Sequence, residues 1–173
     1  MAASTCSYRD WYGTDLVIFF GSNPANDQPV AMKYLYEAKK LGTKVVLVNP
    51  LLEPGMKKYW VPSNADSGLF GTEVADWWFP VAQGGDIALL YGVLRVLVVN
   101  GWVDERFLAE HGAGWSELKA AVLAQNPAAL AERAGLPWSA IEEFAGLIHG
   151  AKNALLVWSM GITQHRLAGM RCR

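Results

Sequence analysis

Two short apolar runs constrain this chain more than anything else in it. Asp15-Leu16-Val17-Ile18-Phe19-Phe20 is closed by Gly21, and Lys44-Val45-Val46-Leu47-Val48-Asn49 is closed by Pro50. Neither alternates polar with apolar residues. Each therefore predicts a strand buried on both faces, the pattern of a parallel sheet covered by helices. Between them Val30, Met32, Tyr34, Leu35, Ala38 and Leu41 recur at helical spacing, while Lys33, Glu37, Lys39 and Lys40 face water. Asn26 or Asp27 suits the N-cap of that helix, Pro29 its first turn and Gly42 its end. Strand, helix and parallel strand within about 35 residues predict a right-handed βαβ unit.

Beyond residue 50 the pattern loosens. Segment 51–71 is rich in Pro and Gly and has no clear period. Trp77, Trp78 and Phe79 raise β-propensity, which predicts a short third strand within 74–79. Gln83-Gly84-Gly85-Asp86 then opens a helix carried by Ile87, Ala88, Leu90, Tyr91, Leu94 and Leu97 and ended near Asn100-Gly101. Residues 104–150 read as short helices punctuated by Gly112, Gly114, Pro127 and Gly135-Leu136-Pro137, with Ser139-Ala140-Ile141-Glu142 in the form of a capping box. Ala154-Leu155-Leu156-Val157-Trp158 predicts one more buried strand. Such a strand needs a covering helix, and 166–173 is too short and polar to supply it. The expected fold is α/β, a mostly parallel sheet flanked by helices and incomplete at its C-terminal end, with the chain stopping in mid-fold.

Charge and cysteine content narrow the function. Fifteen Lys and Arg stand against sixteen Asp and Glu, a net charge of -1. That balance offers no basic stripe for nucleic acid. A hydrophobic content of 52% with only 18% charged residues excludes disorder, and eight Trp in 173 residues are more than a small domain can bury. Part of that apolar surface is expected against another domain, a subunit or a cofactor. Cys6 and Cys172 lie at opposite ends with no metal-binding spacing, so neither a zinc nor an iron–sulfur site is expected from this chain. The start has no basic segment followed by an apolar one, and the apolar stretch 87–103, interrupted by Arg95, falls short of a membrane span. A soluble protein of a reducing compartment is the expectation.

Three loops follow the carboxyl ends of predicted strands or open a helix beside them, where open α/β sheets bind ligands. Gly21-Ser22-Asn23-Pro24 allows close approach of backbone to a ligand, and amides at a helix start behind it suit a pyrophosphate; the same turn is also ordinary loop chemistry. Asn49-Pro50 ends the second strand, where a dinucleotide's ribose would lie, or simply terminates the strand before proline. Gly84-Gly85-Asp86 offers a carboxylate that either caps the helix or accepts the paired N–H donors that guanine has and adenine lacks. After the last strand, Thr163, Gln164 and His165 combine hydroxyl, amide and imidazole, which can hold a heteroaromatic edge or remain a solvated loop. His111 and His149 read as surface or packing residues, and Trp60, Trp77 and Trp78 as packing or interface residues. No Ser–His–Asp order, HExxH, P-loop or pair of catalytic carboxylates is present.

Taken together, these segments resemble the central region of the molybdopterin oxidoreductase family, closest to formate-dehydrogenase-like alpha subunits. The resemblance is carried by Thr14-Asp15-Leu16-Val17-Ile18-Phe19-Phe20-Gly21-Ser22-Asn23-Pro24-Ala25, Val45-Val46-Leu47-Val48-Asn49-Pro50, Gln83-Gly84-Gly85-Asp86-Ile87-Ala88-Leu89-Leu90 and Trp158-Ser159-Met160-Gly161-Ile162-Thr163-Gln164-His165. It implies a Rossmann-like domain over 12–165 with a helical insert at about 104–150, preceded by a segment at 1–11 and followed by a tail at 166–173. The domain would hold molybdopterin guanine dinucleotide with molybdenum. Gly21, Ser22, Asn23 and Pro24 would line the pyrophosphate and guanosine side, Asn49 with Pro50 would lie by the ribose, and Asp86 after Gly84 and Gly85 would read guanine. Gly161, Thr163, Gln164 and His165 would approach the pterin.

Many members of the family carry Asp where Asn49 stands. The family's catalytic chain is several hundred residues long, with a metal-ligating Cys, selenocysteine or Ser, and in many members an iron–sulfur domain, that find no counterpart here. The resemblance thus implies a cytoplasmic, cofactor-positioning piece of a two-electron oxidoreductase, acting with its remaining domains on a small substrate such as formate, without nucleic acid or a membrane span. By itself the piece would be inactive. The other readings are a stand-alone, non-catalytic guanine-nucleotide module and a structural remnant without ligand.

Overall fold

The apolar run at 16–20 forms the strand around which the sheet is arranged. The computed structural model of the protein describes residues 6–61 and 64–164. A 3-10 turn, Tyr8–Trp11, is held by reciprocal capping between Ser7 and Asp10 and leads into β1, Leu16–Phe20, every residue of which is buried. Helices α1 (Pro24–Asp27) and α2 (Pro29–Lys40) connect β1 to β2 (Lys44–Val48). The stretch that has no period in sequence holds α3 (Pro54–Lys57), β3 (Lys58–Tyr59), α4 (Ala65–Phe70) and β4 (Thr72–Glu73), with β3 and β4 paired antiparallel as a small separate ladder. Strand β5, Trp77–Phe79, follows. Helices α5 (Asp86–Val99), α6 (Glu105–His111), α7 (Trp115–Leu123), α8 (Pro127–Ala134) and α9 (Trp138–Gly150) precede β6 (Ala154–Trp158) and the single turn α10 (Met160–Thr163).

The main sheet has the order β5-β2-β1-β6, and every pairing in it is parallel. Leu16 to Phe20 pair in step with Lys44 to Val48 on one side and with Ala154 to Trp158 on the other. The chain runs outward from β1 through β2 to β5, then returns to the opposite flank of β1. The order therefore reverses between β1 and β6, the switch point at which ligands of open α/β sheets bind.

One face of this sheet packs against α2. Val17, Phe19, Val45 and Leu47 join Met32, Leu35 and Ala38 of the helix in one buried cluster, with Trp11 and Met56 beside them. Full burial of such side chains contributes about 1.5–3 kcal/mol each, which is why the two apolar runs dominate the fold. The bottom of the sheet is tied by carboxylates. Asp15 Oδ2 accepts the N–H groups of Lys152 and Asn153, both at 2.9 Å, and so seats the start of β6. Asp76 accepts the Val45 N–H at 2.8 Å and the Lys39 ammonium at 2.6 Å.

The described chain divides into two compact units. One carries the sheet. The other, Val81–Gly150, is helical and built on α5, which packs against α7, α8 and α9. Leu89, Val93 and Val96 of α5 are buried there, as are Leu130, Ile141 and Phe144. A side chain at Gly92 would meet Ile141 Cγ2 at 2.9 Å, so this glycine lets α9 approach α5 closely.

Four local expectations need correction. The helix after β1 is interrupted: α1 is one turn, and α2 begins anew at Pro29 behind Gln28, so neither Asn26 nor Asp27 caps it. Pro29 has no N–H and disfavours helical geometry in Gln28, and that breaks the run. Asp86 is the first residue of α5 rather than its cap, a position taken by Gly85. Ser139 lies inside α9, one residue past its start, so no capping box forms there. Finally, β6 is an edge strand rather than one buried on both faces: Leu155 and Val157 turn toward the core, while Leu156 is 47% and Trp158 49% exposed. The helix-start pattern and an apolar run are local signals; neighbours across a sheet are not.

Candidate functional site

Three loops meet at the carboxyl end of the sheet, drawn together by main-chain hydrogen bonds. The Gly21 N–H donates to the Val48 carbonyl at 3.0 Å, which joins the loop after β1 to Asn49 after β2. The Gly161 N–H donates to the Gly21 carbonyl at 3.2 Å, which joins it to the turn after β6. Gly21 has φ +54°, a left-handed conformation natural to glycine, and a Cβ there would lie 2.8 Å from Gly161 Cα. A Cβ on Gly161 would lie 2.6 Å from Gly21 Cα. The two backbones thus touch at the switch point because neither residue has a side chain.

The loop behind Gly21 is rich in unspent polar groups. No hydrogen bond engages the N–H groups of Ser22, Asn23 or Ala25 among the described residues, and Pro24 has none to give. The Asn23 carbonyl accepts from Asn26 and Asp27, both at 3.1 Å, but its side chain does not cap α1. Its Oδ1 is shut off from solvent and has no hydrogen-bond partner among the described residues. A buried amide oxygen without a donor costs about 1–3 kcal/mol. From the other side Gly55 of α3 packs on Ala25, where a Cβ would stand 2.5 Å from the Ala25 Cβ, and this contact supports α1. Because α1 is a single turn, the donors here are loop amides and not the end of a long helix dipole.

Asn49 is held by its backbone alone. Its N–H donates to the Phe79 carbonyl at 3.2 Å, and its carbonyl accepts the Trp78 indole N–H at 2.8 Å. Its side-chain amide makes no hydrogen bond among the described residues and is half-buried. Pro50 follows, exposed. The Trp78 tie has no signature in sequence, since Trp78 reads equally well as a packing residue in a β-prone stretch.

The residues after β6 are more committed. The Thr163 hydroxyl donates to the Ser159 carbonyl at 3.3 Å, and Gln164 Nε2 lies 3.4 Å from Met160 Sδ, so both side chains serve the turn that carries them. Gly161, Thr163 and Gln164 are exposed. His165 lies outside the described residues.

Gly84, Gly85 and Asp86 belong to the helical unit, and there both glycines have structural reasons. Gly84 has φ +83°. A Cβ on Gly85 would meet the Arg133 carbonyl oxygen at 2.7 Å, where the end of α8 abuts the start of α5. Asp86 is buried, 7% exposed, at the first turn of α5, where a negative charge is favoured by the helix dipole. In the same unit His149 stacks face to face on Trp102 at 4.3 Å, a packing role, and His111 lies beside Glu110 at the surface.

Segments 21–28, 49–53 and 159–164 contain no Lys or Arg. What the sheet unit offers a ligand is consequently a set of neutral donors around a pair of glycines. No group of three or more His, Cys, Asp or Glu suited to a metal ion occurs among the described residues, and no helix there is long and apolar enough to cross a membrane.

A family model described as molybdopterin oxidoreductase matches residues 2–172. Protein YdeP of Escherichia coli K12 is 31% identical over 173 residues, an alignment covering 93% of this chain and 23% of that protein. Formate dehydrogenase H of the same organism is 28% identical over 151 residues, covering 87% of this chain and 19% of the relative. Among solved structures, acetylene hydratase from Pelobacter acetylenicus superposes with a TM-score of 0.65 at 20% identity, covering 90% of this chain and 20% of that one. The chain thus spans a quarter or less of the length of these relatives.

Proposed function

Because this chain belongs to the molybdopterin oxidoreductase family, we propose that it is the cofactor-positioning region of a longer two-electron oxidoreductase. Membership implies a molybdenum and pterin cofactor. The proposal is more specific: the cofactor is molybdopterin guanine dinucleotide, held by a domain over 12–165. The observation that carries it is the contact of Gly21 with Gly161 at the switch point between β1 and β6. Backbone without side chains lets a pyrophosphate come close, and such crevices are where α/β sheets hold dinucleotides.

The residues present fit that group. Ser22, Asn23 and Ala25 supply uncommitted N–H donors to phosphate oxygens, and Asn23 Oδ1, an acceptor, would take an N–H or O–H of the nucleotide rather than a phosphate oxygen. Asn49 turns a neutral amide toward ribose hydroxyls, with Pro50 stiffening the exit of its loop. The guanine-reading role of Asp86, following Gly84 and Gly85, is assigned by resemblance alone. Gly161 and the turn ending in Thr163 and Gln164 serve the pterin end, with His165 assigned there by resemblance alone. When bound, the molybdenum–pterin group supplies two-electron redox chemistry; the chain itself binds and orients, and no metal ligand is assigned within it.

Formate is the proposed substrate, supported by the likeness to formate dehydrogenase H, and the cytoplasm the proposed compartment. The partners are the remaining domains of the same oxidoreductase, where any iron–sulfur cluster would reside. The test is compositional. Protein purified after expression with its full coding context is expected to carry molybdenum, to release GMP on acid hydrolysis, and to reduce an artificial electron acceptor with formate. Release of AMP or CMP instead would overturn the guanine assignment. Full-length protein that purifies with bound GDP but with neither molybdenum nor pterin would favour a stand-alone nucleotide module.

A further inference from the structure

Asn49 combines a fixed main chain with an uncommitted side chain, and the residue that completes this arrangement is Trp78. Both polar groups of the Asn49 backbone are engaged with β5 or its side chain: the N–H by the Phe79 carbonyl at 3.2 Å, the carbonyl by the Trp78 indole at 2.8 Å. The first bond continues the β2–β5 ladder, in which Val48 pairs with Phe79. The second is not a sheet bond. It comes from a side chain in the edge strand β5 that keeps 40% of its surface exposed. Pro50 has no N–H of its own, so without the indole the peptide linking Asn49 to Pro50 would have no protein partner to set its plane. A peptide so fixed sets the direction in which the Asn49 side chain leaves the main chain at the end of β2, the support expected from a residue that helps a binding group without touching the ligand.

We propose that Trp78 is a positioning residue for the nucleotide site: its indole N–H orients Asn49 so that the side-chain amide receives the ribose hydroxyls of a guanine nucleotide. This inference rests on the nucleotide-site reading above and adds a residue that contributes to ribose recognition. It separates two effects of Trp78. Packing in β5 needs only an aromatic ring, whereas ribose recognition needs the N–H.

Trp78→Phe keeps the ring and removes the donor. The test titrates cofactor-free protein with GDP and with 2′,3′-dideoxy-GDP, which lacks both ribose hydroxyls. Wild-type protein is expected to bind GDP about 3- to 10-fold more tightly than the dideoxy analogue, the value of one hydrogen bond. Trp78→Phe and Asn49→Ala are each expected to bind the two alike, with dideoxy affinity unchanged, and the double variant to lose no more than Asn49→Ala alone. Retained discrimination in Trp78→Phe would overturn the inference, as would an equal loss for both nucleotides, which is what a merely structural residue gives. Wild-type protein that binds both nucleotides equally would overturn the role of Asn49, and with it that of Trp78, while leaving the guanine site standing. Wild-type protein that binds neither would overturn the site itself.

Discussion

Gly21 and Gly161 stand in main-chain contact, with the N–H of the second donating to the carbonyl of the first at 3.2 Å, although one follows β1 and the other lies in the turn α10 after β6, 140 positions later. The contact closes the carboxyl end of the sheet across the point where strand order reverses. A methyl group on either residue would collide with the backbone of the other.

Replacing Gly161 with Ala is therefore expected to destabilise the protein by about 1–3 kcal/mol, the usual cost of forcing atoms into a packed position. Gly21→Ala should cost more, since it adds about 1–2 kcal/mol for a left-handed conformation. Urea denaturation measures both. A Gly161→Ala variant as stable as wild type would show that the two loops separate freely.

Asn23→Ala should behave in the opposite sense. Removing its buried, unpartnered amide oxygen relieves a cost and loses some packing, so ligand-free stability is expected to be unchanged or to rise by about 1 kcal/mol. Cofactor retention, read as molybdenum and GMP per protein, should fall. A marked drop in ligand-free melting temperature would mean that the amide has a structural task instead.

Asp15 secures β6 from the other end. Loss of its two bonds to Lys152 and Asn153 in Asp15→Ala is expected to cost about 1–3 kcal/mol. Hydrogen exchange should accelerate at 155–158 while the amides of β2 remain protected. Uniform acceleration throughout the sheet would argue against a local clamp.

Glu105 provides the pH-sensitive contact of the helical unit. The Lys119 ammonium at 2.8 Å, and then the Trp115 indole at 3.1 Å, hold its carboxyl below the ordinary glutamate value of 4.5. A depressed carboxylate stabilises the fold above its unfolded-state value and loses that contribution as pH falls through the folded one. The link between α6 and α7 should thus weaken only in acid, below about pH 4.5. An NMR titration of Glu105 should move upward in Lys119→Met and less so in Trp115→Phe; no movement in either would remove the pairing.

Much of the fold is legible in sequence where signals are local. The apolar runs at 16–20 and 44–48 declare themselves because burial on both faces leaves no alternation to obscure, and α5 because its apolar residues recur over fourteen positions. The β3–β4 ladder escapes because two-residue strands have no period. The break at Gln28 escapes because proline suits a helix start as readily as it ends the helix before it. Of the site, the loops themselves stand out through Gly, Asn and Pro. What joins them does not: the Gly21–Gly161 contact, the Asp15 clamp and the Trp78–Asn49 bond all link residues far apart in sequence, and no spacing rule encodes them.

The outer margin of β6 has a practical consequence. Its peptide groups face no further strand among the described residues, and Leu156 and Trp158 leave accessible apolar surface on one face of the same strand. An extended segment from any neighbouring molecule can zip onto such a margin. A lysine introduced at Leu156 is expected to lower any self-association of the polypeptide in concentrated solution, and unchanged light scattering would count against that edge as the site.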